Sequence, residues 1–125
     1  MITFEEVQII HEYLIDTFGG SKGIRDLDML KSALNRPFSG SFDQEYYPDL
    51  LTKSTALIEA LIKNHPFVDG NKRTGYVIFR LYLNKHGMDI LANEDDKYDF
   101  VMRIAKGESE FNDIRNWIES HLVDK

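Results

Sequence analysis

The sequence predicts an all-α fold, a compact bundle of six helices. Apolar residues recur at three- and four-residue spacing in successive stretches of the chain. Thr3, Asp49 and Asn93 stand where helix caps are needed, Asp26 where a helix starts, and Gly19-Gly20, Pro37, Gly87 and Gly107 where helices should stop. The stretches are joined by short loops, with no repeat, low-complexity tract or long linker. Together these features describe helices packed on helices.

In the first helix, Thr3 and Glu6 match a capping box, and Phe4, Val7, Ile10, Leu14 and Phe18 form the apolar stripe. The second starts at Asp26, carries Leu27, Leu30 and Leu34, and ends at Pro37. From Pro37 to Pro48 the pattern breaks. Ser39-Gly40-Ser41 is turn chemistry, and Phe42, Tyr46 and Tyr47 lack helical spacing, so this segment reads as a loop or a small β-hairpin. Asp49 caps a third helix with Leu50, Ala56, Leu57, Leu61 and Ile62 as its stripe. A fourth runs from about Asn71 to His86 with Val77, Ile78, Leu81 and Tyr82, and Gly87 stops it. Asn93 caps a fifth, with Tyr98, Val101, Met102 and Ala105 expected inside, and a sixth holds Phe111, Ile114, Trp117, Ile118 and Leu122.

A chain of 125 residues, 42% hydrophobic, suits one domain over residues 1–125 with one proper core. The absence of cysteine removes disulfides, thiolate metal sites and a cysteine nucleophile. No basic segment precedes an apolar run at the N-terminus, and no run approaches membrane-span length. The expected location is the cytoplasm, with no membrane partner. A net charge of −6 opposes a nucleic-acid backbone, so no direct nucleic-acid binding is expected. Lys63, Lys72, Arg73, Arg80 and Lys85 gather locally, which suits a small anionic ligand; most are ordinary solvated charges, and Lys72 and Arg73 are the functional candidates.

The chemistry is concentrated in His65-Pro-Phe-Val-Asp-Gly-Asn-Lys-Arg73, between the third and fourth helices. A helix N-terminus offers free N–H groups and the positive end of the dipole. Gly70 allows a tight turn and close ligand approach, and Asn71, Lys72 and Arg73 form the first helical turn. This is an anion site whose natural ligand is phosphate. Asp69 beside it has two open roles, a carboxylate for a nucleotide-bound Mg²⁺ or a helix cap. His65, placed at the end of the third helix, can serve as a base near neutral pH or interact with the helix dipole. Phe67 is the expected apolar anchor of the loop, and Pro66 restricts the backbone beside His65. His11, His86 and His121 have no motif context and receive no role. The set can transfer a phosphate-containing group from a nucleotide to a hydroxyl. Neither a Gly-x-x-x-x-Gly-Lys-Ser/Thr loop nor the protein-kinase signature set is present.

These residues resemble the Fic/Doc (Fido) motif, His-x-Phe-x-Asp/Glu-Gly-Asn-Gly-Arg-x-x-Arg. The chain's length, helical layout and motif position resemble the Doc, or death-on-curing, branch of small toxins from toxin–antitoxin pairs. The resemblance implies His65 as the base that deprotonates a target hydroxyl and Asp69 as the Mg²⁺ ligand. It also implies that Gly70 and Asn71 shape and donate to the phosphate site, that Arg73 contacts phosphate, and that Phe67 anchors the loop. Residues 37–48 fall where the family has a flap that aligns a target peptide by strand pairing. Two positions depart from the motif. Lys72 replaces its second Gly and Tyr76 replaces its second Arg. Both disfavour the ATP pose used for AMP transfer. The Asn-Lys-Arg version in Doc implies a reversed ATP and transfer of the γ-phosphoryl group to a Ser or Thr hydroxyl, with elongation factor Tu as target. The alternatives are AMP transfer and a non-catalytic relative that binds nucleotide or antitoxin. Thr55 to Glu59 matches most of the family's inhibitory pattern, but Ala60 breaks it within an apolar stripe. Control is therefore expected from a separate small antitoxin with a disordered tail that folds on docking.

Overall fold

A computed structural model describes residues 1–125 and contains six α-helices: α1 Phe4–Phe18, α2 Leu27–Asn35, α3 Leu50–Lys63, α4 Asn71–Lys85, α5 Glu94–Ala105 and α6 Phe111–His121. The predicted caps are formed, and Asp26, read only as a helix start, caps α2 as well. Thr3 Oγ1 accepts the Glu6 N–H at 3.1 Å while Glu6 Oε1 accepts the Thr3 N–H at 2.9 Å. Asp26, Asp49 and Asn93 accept N–H groups of Met29, Thr52 and Asp96 at 3.1, 2.7 and 2.8 Å. Each such cap contributes about 1 kcal/mol by satisfying a donor that the helix leaves open.

α3 is the axis of the bundle. Every residue from Ser54 to Ile62 is buried, because α2, α4, α5 and α6 all pack against it. Its polar members are satisfied locally. Ser54 and Thr55 hydroxyls donate to the Leu51 carbonyl, and Glu59 pairs with Arg36 at 2.6 Å and Lys63 at 3.3 Å. Alternating i, i+4 pairs on α3 and α4 feed two apolar clusters. Leu57, Leu61, Ile78 and Tyr82 face α1 and α2, while Ile58, Ile62, Phe79 and Leu83 face α5 and α6. The two helices approach closely at Gly75, where a Cβ would stand 3.2 Å from Ile62 Cγ1. The close crossing offsets the roughly 1 kcal/mol that a mid-helix glycine costs.

Several details differ from the sequence reading. On α5 the buried pair is Phe100 and Ile104, and Tyr98 is 66% exposed. Phe100 wins because its ring stacks on Trp117 of α6 at 3.8 Å. At the ends of α1, Phe4 and Phe18 are exposed, and His11 and Ile15 share the buried face with Val7 and Leu14. Leu27 at the start of α2 is also exposed. A 3₁₀ turn over Arg36–Phe38 follows α2, with Pro37 inside it. Residues 37–48 contain a minimal hairpin, β1 Gly40–Ser41 with β2 Gln44–Glu45. Its turn residues Phe42 and Asp43 both have positive φ, 51° and 65°, as a two-residue turn with matching twist requires. A second antiparallel pair joins β3 Met88–Ile90 to β4 Leu122–Asp124, so Leu122 ends in a strand rather than a helix. Three-residue strands at these positions carry no periodicity for a sequence to display. No helix is long and apolar enough to cross a membrane.

Arg80 ties α4 to this pair of strands. Its Nε and Nη2 donate to both oxygens of Asp89 at 2.8 and 2.7 Å. The guanidinium, with the Ile90 N–H, holds the Asp89 carboxyl down at about 2. A depressed carboxylate stabilises the fold above its ordinary pKa and loses that contribution as pH falls through the folded value. Because Arg80 is 39% exposed, the contribution is discounted for solvent screening to about 1 kcal/mol. Asp89→Asn should lower Tm at neutral pH by roughly 3–5 °C. The gap to the unsubstituted protein should hold above pH 4 and close towards pH 2. Thermal melts across that range check this; a gap constant down to pH 2 would contradict it.

Candidate functional site

The motif loop occupies residues 64–70, between the last turn of α3 and the first of α4. α3 ends at Lys63 with Asn64 as its cap, so His65 stands just beyond the helix rather than in its last turn. The reason is Pro66. A residue before proline is disfavoured in the α region, which ends the helix; proline favours extended backbone there, so the φ of 45° at His65 is imposed by other contacts. A left-handed conformation costs a non-glycine residue roughly 1–2 kcal/mol, so the surroundings must hold it.

They do so through the connection between α1 and α2, which runs alongside the motif loop. The Arg25 and Asp26 N–H groups both donate to the Pro66 carbonyl at 2.8 and 3.1 Å, and the Val68 N–H donates to the Gly23 carbonyl at 3.0 Å. Ile24 and Phe67 form an isolated antiparallel bridge. The Arg25 guanidinium donates from Nε to the His65 carbonyl at 2.6 Å and from Nη2 to the Asn64 carbonyl at 2.8 Å.

Phe67 is 2% exposed, and its ring stacks on His11 with centroids 4.1 Å apart. His11 Nε2 lies 2.8 Å from the Asp69 carbonyl oxygen. A carbonyl can only accept, so Nε2 carries the proton. The Asn71 side chain turns back onto the loop, with Oδ1 accepting the Phe67 N–H at 2.9 Å and Nδ2 donating to the Phe67 carbonyl at 3.0 Å. Its carboxamide therefore shapes the loop, leaving its backbone N–H as the group it can offer a phosphate.

Asp69 is not the N-cap. That position is Gly70, with φ 75° and no side-chain cap bond. Asp69 Oδ1 accepts the Gly70 N–H at 2.8 Å and Oδ2 accepts the Ser21 N–H at 3.1 Å. Gly20 makes room for this carboxylate, since a Cβ there would lie 2.7 Å from Oδ2. Each oxygen keeps a free lone pair and the side chain is exposed. One exposed carboxylate suits a cation whose other ligands are phosphate oxygens and water, and no group of three metal-ligating side chains exists to form a protein-only cage.

At the start of α4, the first intrahelical acceptance is by the Gly70 carbonyl from the Thr74 N–H, so the N–H groups of Asn71, Lys72 and Arg73 remain open. Lys72 and Arg73 are exposed beside them, with the Arg73 guanidinium 4.2 Å over the Phe18 ring. Neither takes part in an ion pair. Tyr76, one turn on, leans against Phe79 with its hydroxyl buried and unpartnered. Burial pushes its phenol up to about 12, so it stays neutral. The site thus gathers an exposed imidazole, a carboxylate, three open backbone donors and two free cations along one exposed loop and helix start. Two concavities between α5 and α6, lined by residues such as Asp99, Arg103 and Trp117, contain no residue of this loop.

Sequence reasoning missed His11, Arg25 and the Gly20–Ser21 segment. His11 left a trace, a histidine on the same face as Val7, Leu14 and Ile15. Gly19, Gly20 and Gly23 are closely spaced and mark more than a helix stop, but Arg25 left no local signal.

A sequence profile of the Fic/DOC family matches residues 1–83, which include the whole motif loop and most of α4. The protein named Toxin Doc from Mycolicibacterium smegmatis is 37% identical over 78 residues, 62% of this chain and 60% of that one. The chain thus matches less than two thirds of that relative's length. The protein named Protein kinase doc from Escherichia phage P1 is 27% identical over 107 residues, 86% of this chain and 83% of that one. With the family profile covering more than half of its length, the chain belongs to the Fic/DOC family.

Proposed function

We propose that the chain is a Doc-like toxin that transfers the γ-phosphoryl group of ATP to a Ser or Thr hydroxyl of a protein target. The observation that carries this reading is Lys72 in the first turn of α4, beside three open N–H donors, with neutral Tyr76 one turn behind it. A cation at the helix start draws the more highly charged end of the triphosphate there. A neutral phenol at position 76 removes the second cation that the AMP-transfer pose uses. The names of the two relatives, a toxin and a protein kinase, agree with the reading.

In this reading the target hydroxyl gives its proton to the His65 imidazole. Its oxygen forms a bond to the γ-phosphorus as the bond from that phosphorus to the β–γ bridging oxygen breaks, and ADP leaves. The N–H groups of Asn71, Lys72 and Arg73 and the two cationic side chains hold the phosphates in line. Asp69 would hold a Mg²⁺ that neutralises phosphate charge when bound. The hairpin carrying Phe42, 98% exposed at its tip, is the flap against which a target segment would align. The target class is a translation factor of the elongation factor Tu kind, which places the activity in the cytoplasm. Glu59 of the partial inhibitory pattern is committed to Arg36 and Lys63, so control falls to a separate antitoxin whose disordered tail folds on binding.

Incubation with ATP labelled at either the α or the γ position, in a cell lysate, tests the transferred group. Label should reach protein from the γ position only. Transfer from the α position would replace this reading with AMP transfer. His65→Ala should abolish both transfer and growth arrest while melting within a few degrees of the unsubstituted chain, as an exposed side chain permits. Persistent transfer would remove His65 from the base role. Lys72→Ala should raise the KM for ATP about tenfold, the worth of one screened charge near a phosphate. An unchanged KM would make Lys72 an ordinary surface lysine.

A further inference from the structure

We propose that Arg25 is a positioning residue for His65, holding the imidazole in its working place through the backbone; the proposal rests on reading His65 as the base. His65 has φ 45°, and the other non-glycine residues with positive φ, Phe42 and Asp43, form the hairpin turn where that conformation is ordinary. The His65 side chain is exposed, so packing does not fix it. Its backbone is what the structure controls, and Arg25 is the side chain that controls it. The guanidinium bridges two consecutive carbonyls, from Nε to His65 at 2.6 Å and from Nη2 to Asn64 at 2.8 Å. Its planar fork matches that geometry, and a lysine ammonium could not hold both oxygens in one fixed plane.

The setting favours the same role. Arg25 forms no ion pair. Its charge sits at the C-terminal, negative end of α3, where a cation is favoured. The Arg25 N–H also donates to the Pro66 carbonyl at 2.8 Å, so one residue grips three consecutive peptide units, 64 to 66. The nucleotide side of the loop is held by other groups, His11 on the Asp69 carbonyl and Asn71 on the Phe67 backbone. Loss of the Arg25 side chain should therefore misplace the base and leave the phosphate donors where they are.

The test compares Arg25→Ala, Arg25→Lys and His65→Ala with the unsubstituted chain. Initial rates of γ-label transfer into lysate protein are measured over a range of ATP concentrations. Arg25→Ala should lower the maximal rate on the order of ten- to a hundredfold, as a base misplaced by about 1 Å would, with the KM for ATP within about threefold. Arg25→Lys should fall between. Arg25 is exposed, so millimolar guanidinium can enter the vacated place and should restore rate to Arg25→Ala, while ammonium at the same concentration should not. In NMR spectra, the His65 backbone amide of Arg25→Ala should broaden or double, and return to one signal with guanidinium.

A maximal rate equal to that of the unsubstituted chain overturns the proposal. So does a KM that rises as much as the rate falls, or a folded, slow Arg25→Ala that guanidinium does not rescue, since each makes Arg25 a general structural residue. A single unshifted His65 signal overturns it without any substrate. His65→Ala separates the two levels. If it is inactive while Arg25→Ala is unaffected, the base reading stands and this inference falls alone. If His65→Ala transfers at full rate, the base reading falls and takes this inference with it.

Discussion

Seven residues between α3 and α4 hold an unfavourable shape because a second loop pairs with them. The connection between α1 and α2 hydrogen-bonds to Pro66 and Val68, bridges Phe67, and sends the Ser21 N–H to the Asp69 carboxylate. Without those contacts the left-handed conformation of His65 would relax and Asp69 would swing free. The pairing needs glycine. At Gly20, φ is 116° and any side chain would strike the carboxylate. The candidate site is therefore a property of two loops distant in sequence, joined at one end of the bundle.

The bundle gives that junction a rigid base. α3 is enclosed from Ser54 to Ile62, where every residue is buried, so the point where it releases the chain to His65 is held by the core. α4 is locked to α3 through Gly75, which sets the start of α4, and with it the three open N–H donors, at a constant distance from the end of α3. Phe67 links the two regimes. It belongs to the loop by sequence and to the apolar core by packing, and its stacking on His11 carries the position of α1 into the site.

Most of this architecture was legible in the sequence, because helix caps, stops and apolar stripes are local signals. Thr3, Asp26, Asp49 and Asn93 each announce a helix start within four residues. The face of α5 was misread because Tyr98 and Phe100 both fit an apolar spacing, and only the ring of Trp117, 17 residues further on than Phe100, selects between them. The placement of the motif was equally legible, since Gly70 turns the chain and Asn71 to Arg73 open α4 as adjacent residues. What holds them was not. Arg25 lies 40 residues from His65, and His11 lies 58 residues from Asp69. Contacts at such separations obey no periodicity, and a single sequence contains no trace of which loop will lie against which.

The same division bears on how a nucleotide would lie in the site. Backbone donors at a helix start hold a phosphate but do not distinguish one phosphate of a chain from another. Direction has to come from side chains that sit off the helix axis. On α4 the first turn carries two exposed cations, and the next carries a phenol whose buried hydroxyl is pushed up to about 12 and stays neutral. The next cation along α4, Arg80, is paired with Asp89, so unpaired positive charge is confined to the first turn. A triphosphate gains most when its terminal group, which has the highest charge, lies against Lys72 and Arg73, and gains nothing from reaching back toward Tyr76. That gradient is the physical basis of the proposed γ-phosphoryl transfer. In the proposed reading the lysine and the tyrosine act as a pair: the cation would attract the terminal phosphate, and the neutral ring would leave the opposite orientation without a partner.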